Sequence, residues 1–367
     1  MKKKLIAAAF ILLVGGCSNT PYAFKEKERT ENAPEEQLDF KIGYALGTPD
    51  GLNDNTFEAI SWEGVIQYVN RYPRVKVQRA VPLDDTDDKR RENLDDLLTI
   101  ECDVIIALGE AHAEIFQEEA AKNPEVTFIL FQGGGIKPES ENFVNIEFED
   151  QQSSFLGGVA AALNTDSGKV GFMGGKHNAS LTRQSLGFEG GVRYANANFQ
   201  TEAEVQEPQY AESFEDVVKG RKLAKKMYED DIDVIFSCAG TTGIGAIEQA
   251  KVLLEKDKSV WLIGVDNDLY EYGKIHDDRS VILTSIIKKM DVVIYEILED
   301  YARDRFPGGQ YVLKTLQEGS VGLPKENKNF DEKTRTLISQ TEDLIREGSL
   351  VIPFELEELE AFVKSIG

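Results

Sequence analysis

The chain has 367 residues, with 65 Asp or Glu against 41 Lys or Arg, and a net charge of −24 at pH 7. Such a surface repels nucleic-acid phosphates and anionic lipid headgroups, so neither is expected as a partner of the protein body. Three cysteines are too few for a disulfide scaffold, and the length exceeds what one hydrophobic core usually holds, which predicts two domains.

The opening stretch MKKKLIAAAFILLVGGCSNT sets three lysines before ten apolar residues, Leu5 to Val14, then Gly15, Gly16 and Cys17. A membrane-spanning helix needs about 20 apolar residues, so this core is too short to span. Residues 1–16 read as a secretory signal peptide. A Cys directly after small residues resembles the bacterial lipobox, in which that Cys is lipidated and becomes the new N-terminus, although Gly15 is unusual there. Cys17 is therefore the expected lipidation site. The polar, charged segment up to residue 38 has no apolar periodicity and reads as a flexible tether over 17–38, reaching at most ~70 Å from the membrane. Removal of residues 1–16 takes away Lys2, Lys3 and Lys4 and no acid, moving the charge from −24 to −27. The expected place of the body is the extracytoplasmic face of the cell membrane, held by lipid alone.

From residue 41 onward, short apolar runs alternate with amphipathic segments of helix length. Strands are predicted at 41–47, 76–81, 103–109, 127–133 and 143–148, then at 169–175, 202–208, 233–240, 260–266 and 281–287. Helices are predicted near 55–70, 87–100, 111–122, 151–163, 181–197, 213–230, 242–255 and 288–304. Several strands are continuous apolar runs, as expected of parallel strands covered on both faces. The predicted fold class is α/β: two open parallel-sheet, Rossmann-like lobes joined by a hinge. The chain is expected to cross between them near 150, 285 and 310. The first lobe then takes 39–150 plus about 286–310, and the second 151–285 plus about 311–367.

Ligands of open α/β sheets bind beyond the carboxyl ends of the strands. Strand 41–47 leads into GTPDGLNDNTF, strand 103–109 into Glu110, and strand 233–240 into AGTTGIG. Strand 260–266 ends on Asp266 and strand 281–287 leads to Lys288. Two lobes that face each other with these ends enclose a polar cleft carrying acids, one lysine and one aromatic, the build of a hinged binding protein.

Other motifs fail on their chemistry. GFMGGKHNAS (171–180) has Val170 where a phosphate loop needs Gly, and His177 where it needs Ser or Thr. AGTTGIGA (239–246) lacks GxGxxG spacing, and its glycines serve either close backbone approach to a ligand or a tight turn. DDTDD (84–88) lacks calcium-loop spacing and suits a helix N-terminus. His112, His177 and His276 share no metal-ligand spacing, no nucleophile elbow occurs, and no Cys–His pair has catalytic context. No catalytic residue, metal or cofactor is expected. Cys102 and Cys238 each sit at a strand-like segment and read as two separate buried thiols in preference to a disulfide, the bridge staying open as the alternative.

Several segments taken together resemble the bacterial basic membrane protein family: NDNTFEAISWEG (53–64), FEDQQSSFLGGVAAALNTDSGKVGFMGG (148–175) and SLGFEGGV (185–192). DVIFSCAGTTGIG (233–245), VWLIGVDND (260–268), LTSIIKKMDVVIY (283–295), EGSVGL (318–323) and IREGSLVIP (345–353) follow in order. These lipoproteins resemble type I periplasmic binding proteins; they typically bind nucleosides, often purine nucleosides, and deliver them to an ABC-type permease. The resemblance implies that Phe57 stacks on a nucleobase, with Asp54 and Asn53 hydrogen-bonding base or sugar. Phe57 as a core-facing helix residue is the competing reading, and Trp62 reads as core. The resemblance further implies that Asp266 accepts from ribose hydroxyls, that Lys288 donates to a sugar oxygen, and that Gly240 permits close backbone contact.

Two positions depart from the family pattern. Glu58 stands where an Asn usually follows the Phe, and an ionised carboxylate cannot donate as an amide does. Gln184 stands where an aromatic is frequent, which leaves one face of a base without a stacking partner. Both open the way to a more polar ligand. A sensor lipoprotein that signals to a membrane receptor is the first alternative; an extracellular nucleoside-processing enzyme, which would need a catalytic constellation, is the second.

Overall fold

The computed structural model describes residues 38–49 and 57–366. The expected signal peptide, Cys17, the tether up to residue 37, and both Asn53 and Asp54 lie outside them.

In chain order the elements are β1 (Lys41–Ala45), α1 (Phe57–Arg71), β2 (Lys76–Ala80), α2 (Asp87–Thr99), β3 (Val104–Leu108), a 3-10 turn (Glu110–His112), α3 (Ala113–Lys122), β4 (Thr127–Phe131) and β5 (Phe143–Phe148). There follow α4 (Asp150–Asn164), β6 (Lys169–Gly174), α5 (Ala179–Phe199), β7 (Glu204–Val205), β8 (Gln209–Tyr210), α6 (Val217–Glu229), β9 (Val234–Cys238), α7 (Thr241–Leu254), β10 (Trp261–Asp266) and β11 (Ile282–Lys288). The chain ends with α8 (Met290–Ala302), β12 (Tyr311–Lys314), β13 (Val321–Gly322), α9 (Glu332–Arg346) and α10 (Leu356–Ile366).

The first sheet has the order β2-β1-β3-β4-β5-β12, with every neighbouring pair parallel. The second has the order β7-β6-β9-β10-β11-β13, with β8 also on β6; only the β11–β13 pair is antiparallel. Central strands such as β3 (VIIAL) and β9 (VIFSC) are buried at every residue, because helices cover both faces. Helices α4 and α5 cover one face of the second sheet at backbone contact. A Cβ at Gly158 would lie 2.0 Å from the Phe188 carbonyl oxygen, and one at Gly191 2.0 Å from that of Phe155. Only glycine allows that approach. Helix α8 packs on α1, where a Cβ at Gly64 would lie 2.5 Å from the carbonyl oxygen of Asp291. It thereby returns the chain to the first lobe.

The chain passes between sheets at Glu149, again at Lys289, and a third time over 315–320 between β12 and β13. Strand pairing assigns Ile282–Lys288 to the second sheet and Tyr311–Lys314 to the first. YVLK is a partly exposed edge strand of mixed polarity, so nothing in its pattern marks the sheet it joins. The predicted strand at 202–208 is instead two short edge strands, β7 and β8, separated by Pro208, which has no N–H to give a ladder. Helices α9 and α10 carry no sequence prediction; both pack on the second lobe, against α4 and α5 respectively. Cys102, just before β3, and Cys238, the last residue of β9, are both free and buried. Among the described residues no helix is long and apolar enough to cross a membrane.

Candidate functional site

Lys288 is the last residue of β11, and its side chain is 5% exposed. Its Nζ lies 3.2 Å from Asp266 Oδ1 and 3.5 Å from Asp150 Oδ2, and 5.1 Å from the centroid of the Phe57 ring. Burial alone drives an ammonium toward its neutral form. Asp150 and Asp266 outweigh it, and the Lys288 pKa stands above the ordinary lysine value.

Each partner is placed by a strand or helix end. Asp266 closes β10 with φ +71°, a left-handed conformation uncommon outside glycine, which turns the chain sharply beside β11. Asp150 opens α4, where the helix dipole favours a carboxylate, and is fully buried. Its Oδ2 also accepts from Ser180 Oγ at 3.0 Å and from Gln132 Nε2 at 3.1 Å. Gln132 follows β4 of the first sheet and Ser180 belongs to α5 of the second lobe. Asp150 therefore joins the lobes at the hinge. Phe57, half-buried at the start of α1, comes from the first lobe and presents its ring to the ammonium.

The network continues away from Lys288. Gln184 Nε2 donates to Ser180 Oγ at 3.3 Å, and the Cys238 thiol donates to Gln184 Oε1 at 3.1 Å. Burial holds the Cys238 thiol well above its ordinary pKa, so it stays protonated as a donor despite the nearby Lys288 ammonium. Gln184 is 2% exposed, with both its amide nitrogen and its oxygen engaged in this chain of hydrogen bonds. Its part is to hold Ser180 and, through it, Asp150.

Glu58 belongs to a different set. Its Oε1 accepts the Gly47 amide at 2.8 Å. Burial lifts its carboxyl to about 7 against the lowering effect of that bond; Glu215 adds to the rise and Arg90 opposes it. Glu110 is exposed on the 3-10 turn after β3, against Gly134, with no described contact to the Lys288 group. Gly240 caps the N-terminus of α7 with φ +54°, a conformation that glycine adopts freely. Trp62 is half-buried, edge-on to Tyr44 and covered by Arg79.

The structure thus gathers Phe57, Asp266 and Lys288 directly, ties in Gln184 through Ser180, and leaves Glu58 and Glu110 apart. Asp150, Ser180 and Gln132 were not singled out from the sequence. Asp150 had a signal, since it lies two residues beyond strand 143–148, but in a chain this acidic one more Asp after a strand carries little information.

Among the described residues no three His, Cys, Asp or Glu side chains are grouped to hold a metal ion. His112 is buried with its Nδ1–H on the Leu108 carbonyl at 3.0 Å, and burial lowers its pKa to about 4.

Residues 41–353 match the family Bmp, described as "ABC transporter substrate-binding protein PnrA-like". The "CD4+ T-cell-stimulating antigen" of Listeria innocua is 29% identical over 372 residues, covering 96% of this chain and 99% of that one. The "ABC transporter nucleoside-binding protein BmpA" of Lactococcus lactis is 27% identical over 368 residues, with the same coverage. "Basic membrane protein A1" of Borrelia garinii is 30% identical over 263 residues, covering 71% of this chain and 74% of that one. Among solved structures, an ABC transporter solute-binding protein from Aeropyrum pernix superposes with a TM-score of 0.76 at 20% identity, over 89% of this chain and 97% of that one. A glucose-galactose binding protein from Geobacillus stearothermophilus gives 0.57 at 14% identity, over 78% and 97%. At these identities both show the shared fold alone.

Proposed function

Because the chain belongs to the PnrA-like family of ABC transporter substrate-binding proteins, we propose that its own ligand is a nucleoside. The family binds and hands over solutes rather than transforming them, and its partners are a ligand and a transporter. Within that role, the protein is the lipid-anchored, extracytoplasmic binding component of an ABC importer. Its two sheets act as lobes that close about the crossings at Glu149, Lys289 and 315–320. Purine nucleosides are the favoured class.

The observation that carries this reading is the placement of Lys288 between Asp266 and Asp150, with its ammonium over Phe57. An aromatic ring from one lobe offers a stacking face for a flat base. Next to it, an Asp–Lys pair from the other lobe offers an acceptor and a donor to adjacent sugar hydroxyls. The two carboxylates exceed the one ammonium, so a neutral ligand suits the cleft better than an anionic one. The name of the Lactococcus lactis relative supports the same ligand class.

Mass spectrometry of small molecules released from the purified, denatured protein tests this. A nucleoside is the expected species, and calorimetry should then show that it rebinds stoichiometrically and unchanged. Release of a free sugar or amino acid that rebinds, with no binding of nucleosides, overturns the ligand class. Appearance of free base during incubation overturns binding without chemistry.

A further inference from the structure

Between the second sheet and α7 lies a small cavity of about 30 Å³ that Asp266 helps to line. Ser237, Gly243, Ile244, Leu262 and Leu269 are among its other walls. The alternation of β9 sends Phe236 and Cys238 toward the α4 and α5 side of the sheet, and Ile235 and Ser237 toward α7. Ser237 is 4% exposed, and its Oγ has no hydrogen-bond partner. The room above that hydroxyl exists because residue 243 is glycine, where a Cβ would stand 3.0 Å from Ser237 Oγ.

Buried hydroxyls are normally paired, since leaving one without a partner forfeits its hydrogen bond to water. Apart from Ser237, Thr241, Asp266 and Tyr272 the walls are apolar or glycine, and the space admits about one or two non-hydrogen atoms. The group that fits has one carbon to meet Ile244, Leu262 and Leu269 and one polar atom to meet Ser237. The α7 N-terminus, with Gly240 and Thr241 also at the cavity, favours an electron-rich oxygen over an ammonium. A phosphate is too large, and the cavity offers it no cationic side chain beside the Asp266 carboxylate.

Resting on the nucleoside reading above, we propose that this cavity receives the hydroxymethyl group of the bound sugar, with Ser237 Oγ as its hydrogen-bond partner. It thereby makes the site selective for free nucleosides over 5′-phosphorylated ones. A sugar ring held at Asp266 and Lys288 by its hydroxyls carries its hydroxymethyl arm on the neighbouring ring carbon, at the rim of the cavity.

Calorimetry on the full chain tests the proposal in two stages. Adenosine, guanosine, inosine, uridine and cytidine are titrated first, and the tightest binder is then compared with its 5′-deoxy analogue and its 5′-monophosphate. Wild type should bind the nucleoside about tenfold or more tightly than the 5′-deoxy form, the scale of one lost hydrogen bond in a dry site, and should show no binding of the monophosphate. Ser237→Ala should reduce that ratio to within about twofold, by weakening the nucleoside and not the 5′-deoxy form. Its thermal midpoint should not fall, because an unpartnered hydroxyl has been removed. Gly243→Ala, which presses on Ser237, should weaken the nucleoside more than the deoxy analogue and serves if Ser237→Ala misfolds. An unchanged ratio in both variants, or a wild type that takes nucleoside and 5′-deoxy analogue equally, overturns the cavity assignment while the nucleoside reading stands. If none of the five nucleosides binds wild type, the nucleoside reading itself falls and the cavity assignment with it.

Discussion

Glu147, on β5 of the first sheet, and Arg183, on α5 of the second lobe, form an ion pair at 2.9 Å with both side chains buried. Glu147 also accepts the Gly135 amide at 3.2 Å, and the guanidinium lies over the Phe354 ring, 5.3 Å from its centroid. Burial raises the Glu147 pKa while Arg183 pulls it back, so the guanidinium offsets part of the cost of burying the carboxylate. It stands one turn of chain from Asp150 and bridges the same crossing. Two charged contacts therefore lock the hinge side in the observed arrangement.

Breaking that pair from one side leaves a buried charge without compensation. Arg183→Ala is expected to lower the free energy of unfolding by about 3–5 kcal/mol. The double replacement Arg183→Met with Glu147→Leu should recover most of the loss, since apolar side chains fill the space without a desolvation cost. Urea titrations of the single and double variants give the comparison. A double variant as unstable as the single one would mean that packing, not charge, sets the effect.

Glu58 makes stability depend on pH. Its folded-state pKa of about 7 lies above the 4.5 of an unperturbed glutamate, chiefly through burial. Between those values the folded protein holds a proton that the unfolded chain has released. Its contribution to stability is therefore fully present below about 4.5 and is lost as the pH rises through 7. The difference amounts to about 3 kcal/mol at most. Glu58→Gln keeps an acceptor for the Gly47 amide and cannot ionise. The unfolding free energy of wild type relative to this variant should fall from pH 4.5 to pH 7.5 and level off beyond. A constant difference across that range would show that Glu58 ionises normally.

What the sequence disclosed follows from how local each signal is. Continuous apolar runs such as VIIAL and VIFSC announce strands covered on both faces, because every residue of such a strand meets a helix layer. The rule that ligands gather at strand ends led to Asp266 and Lys288, which the fold brings within 3.2 Å. Other contacts depend on packing that no local pattern records. Arg183 and Glu147 are 36 residues apart, and Lys288 and Asp150 are 138 apart. Gln184 reads as a missing aromatic in sequence. In the fold it is a buried relay between Cys238 and Ser180. Strand β12 escaped because four partly exposed residues at a sheet edge resemble any loop.

The anchor can be tested apart from the fold. With ten apolar residues before Cys17, the N-terminal segment is too short to hold the protein in a bilayer as a spanning helix. On the lipoprotein reading proposed above, attachment depends on acyl chains at Cys17. Cys17→Ser should shift the protein from the membrane fraction to the soluble one, or leave it unprocessed, without altering ligand affinity of the purified body. Unchanged processing and fractionation would remove the lipid anchor from the account.

The residues proposed to bind the ligand differ in what their loss should do. Lys288 is the ion-pair partner of two carboxylates, so Lys288→Ala should both abolish measurable nucleoside binding and lower stability, as Asp150 and Asp266 are left without it. Asp266→Ala leaves Lys288 with Asp150 as partner, so the fold should survive with a smaller loss. Its binding should nevertheless fall by about 2–5 kcal/mol, the usual cost of removing a charged hydrogen-bonding group from a desolvated site. Phe57→Ala removes a stacking ring, worth about 0.5–1.5 kcal/mol beyond its buried area, and should weaken affinity more moderately. It also uncovers one face of the Lys288 ammonium, and Phe57→Leu separates the two effects by keeping bulk without a ring. Calorimetry paired with thermal unfolding on these variants distinguishes ligand contacts from structural ones. If Asp266→Ala bound the released ligand as tightly as wild type, Asp266 would be a partner of Lys288 alone, and the sugar would have to meet the protein elsewhere.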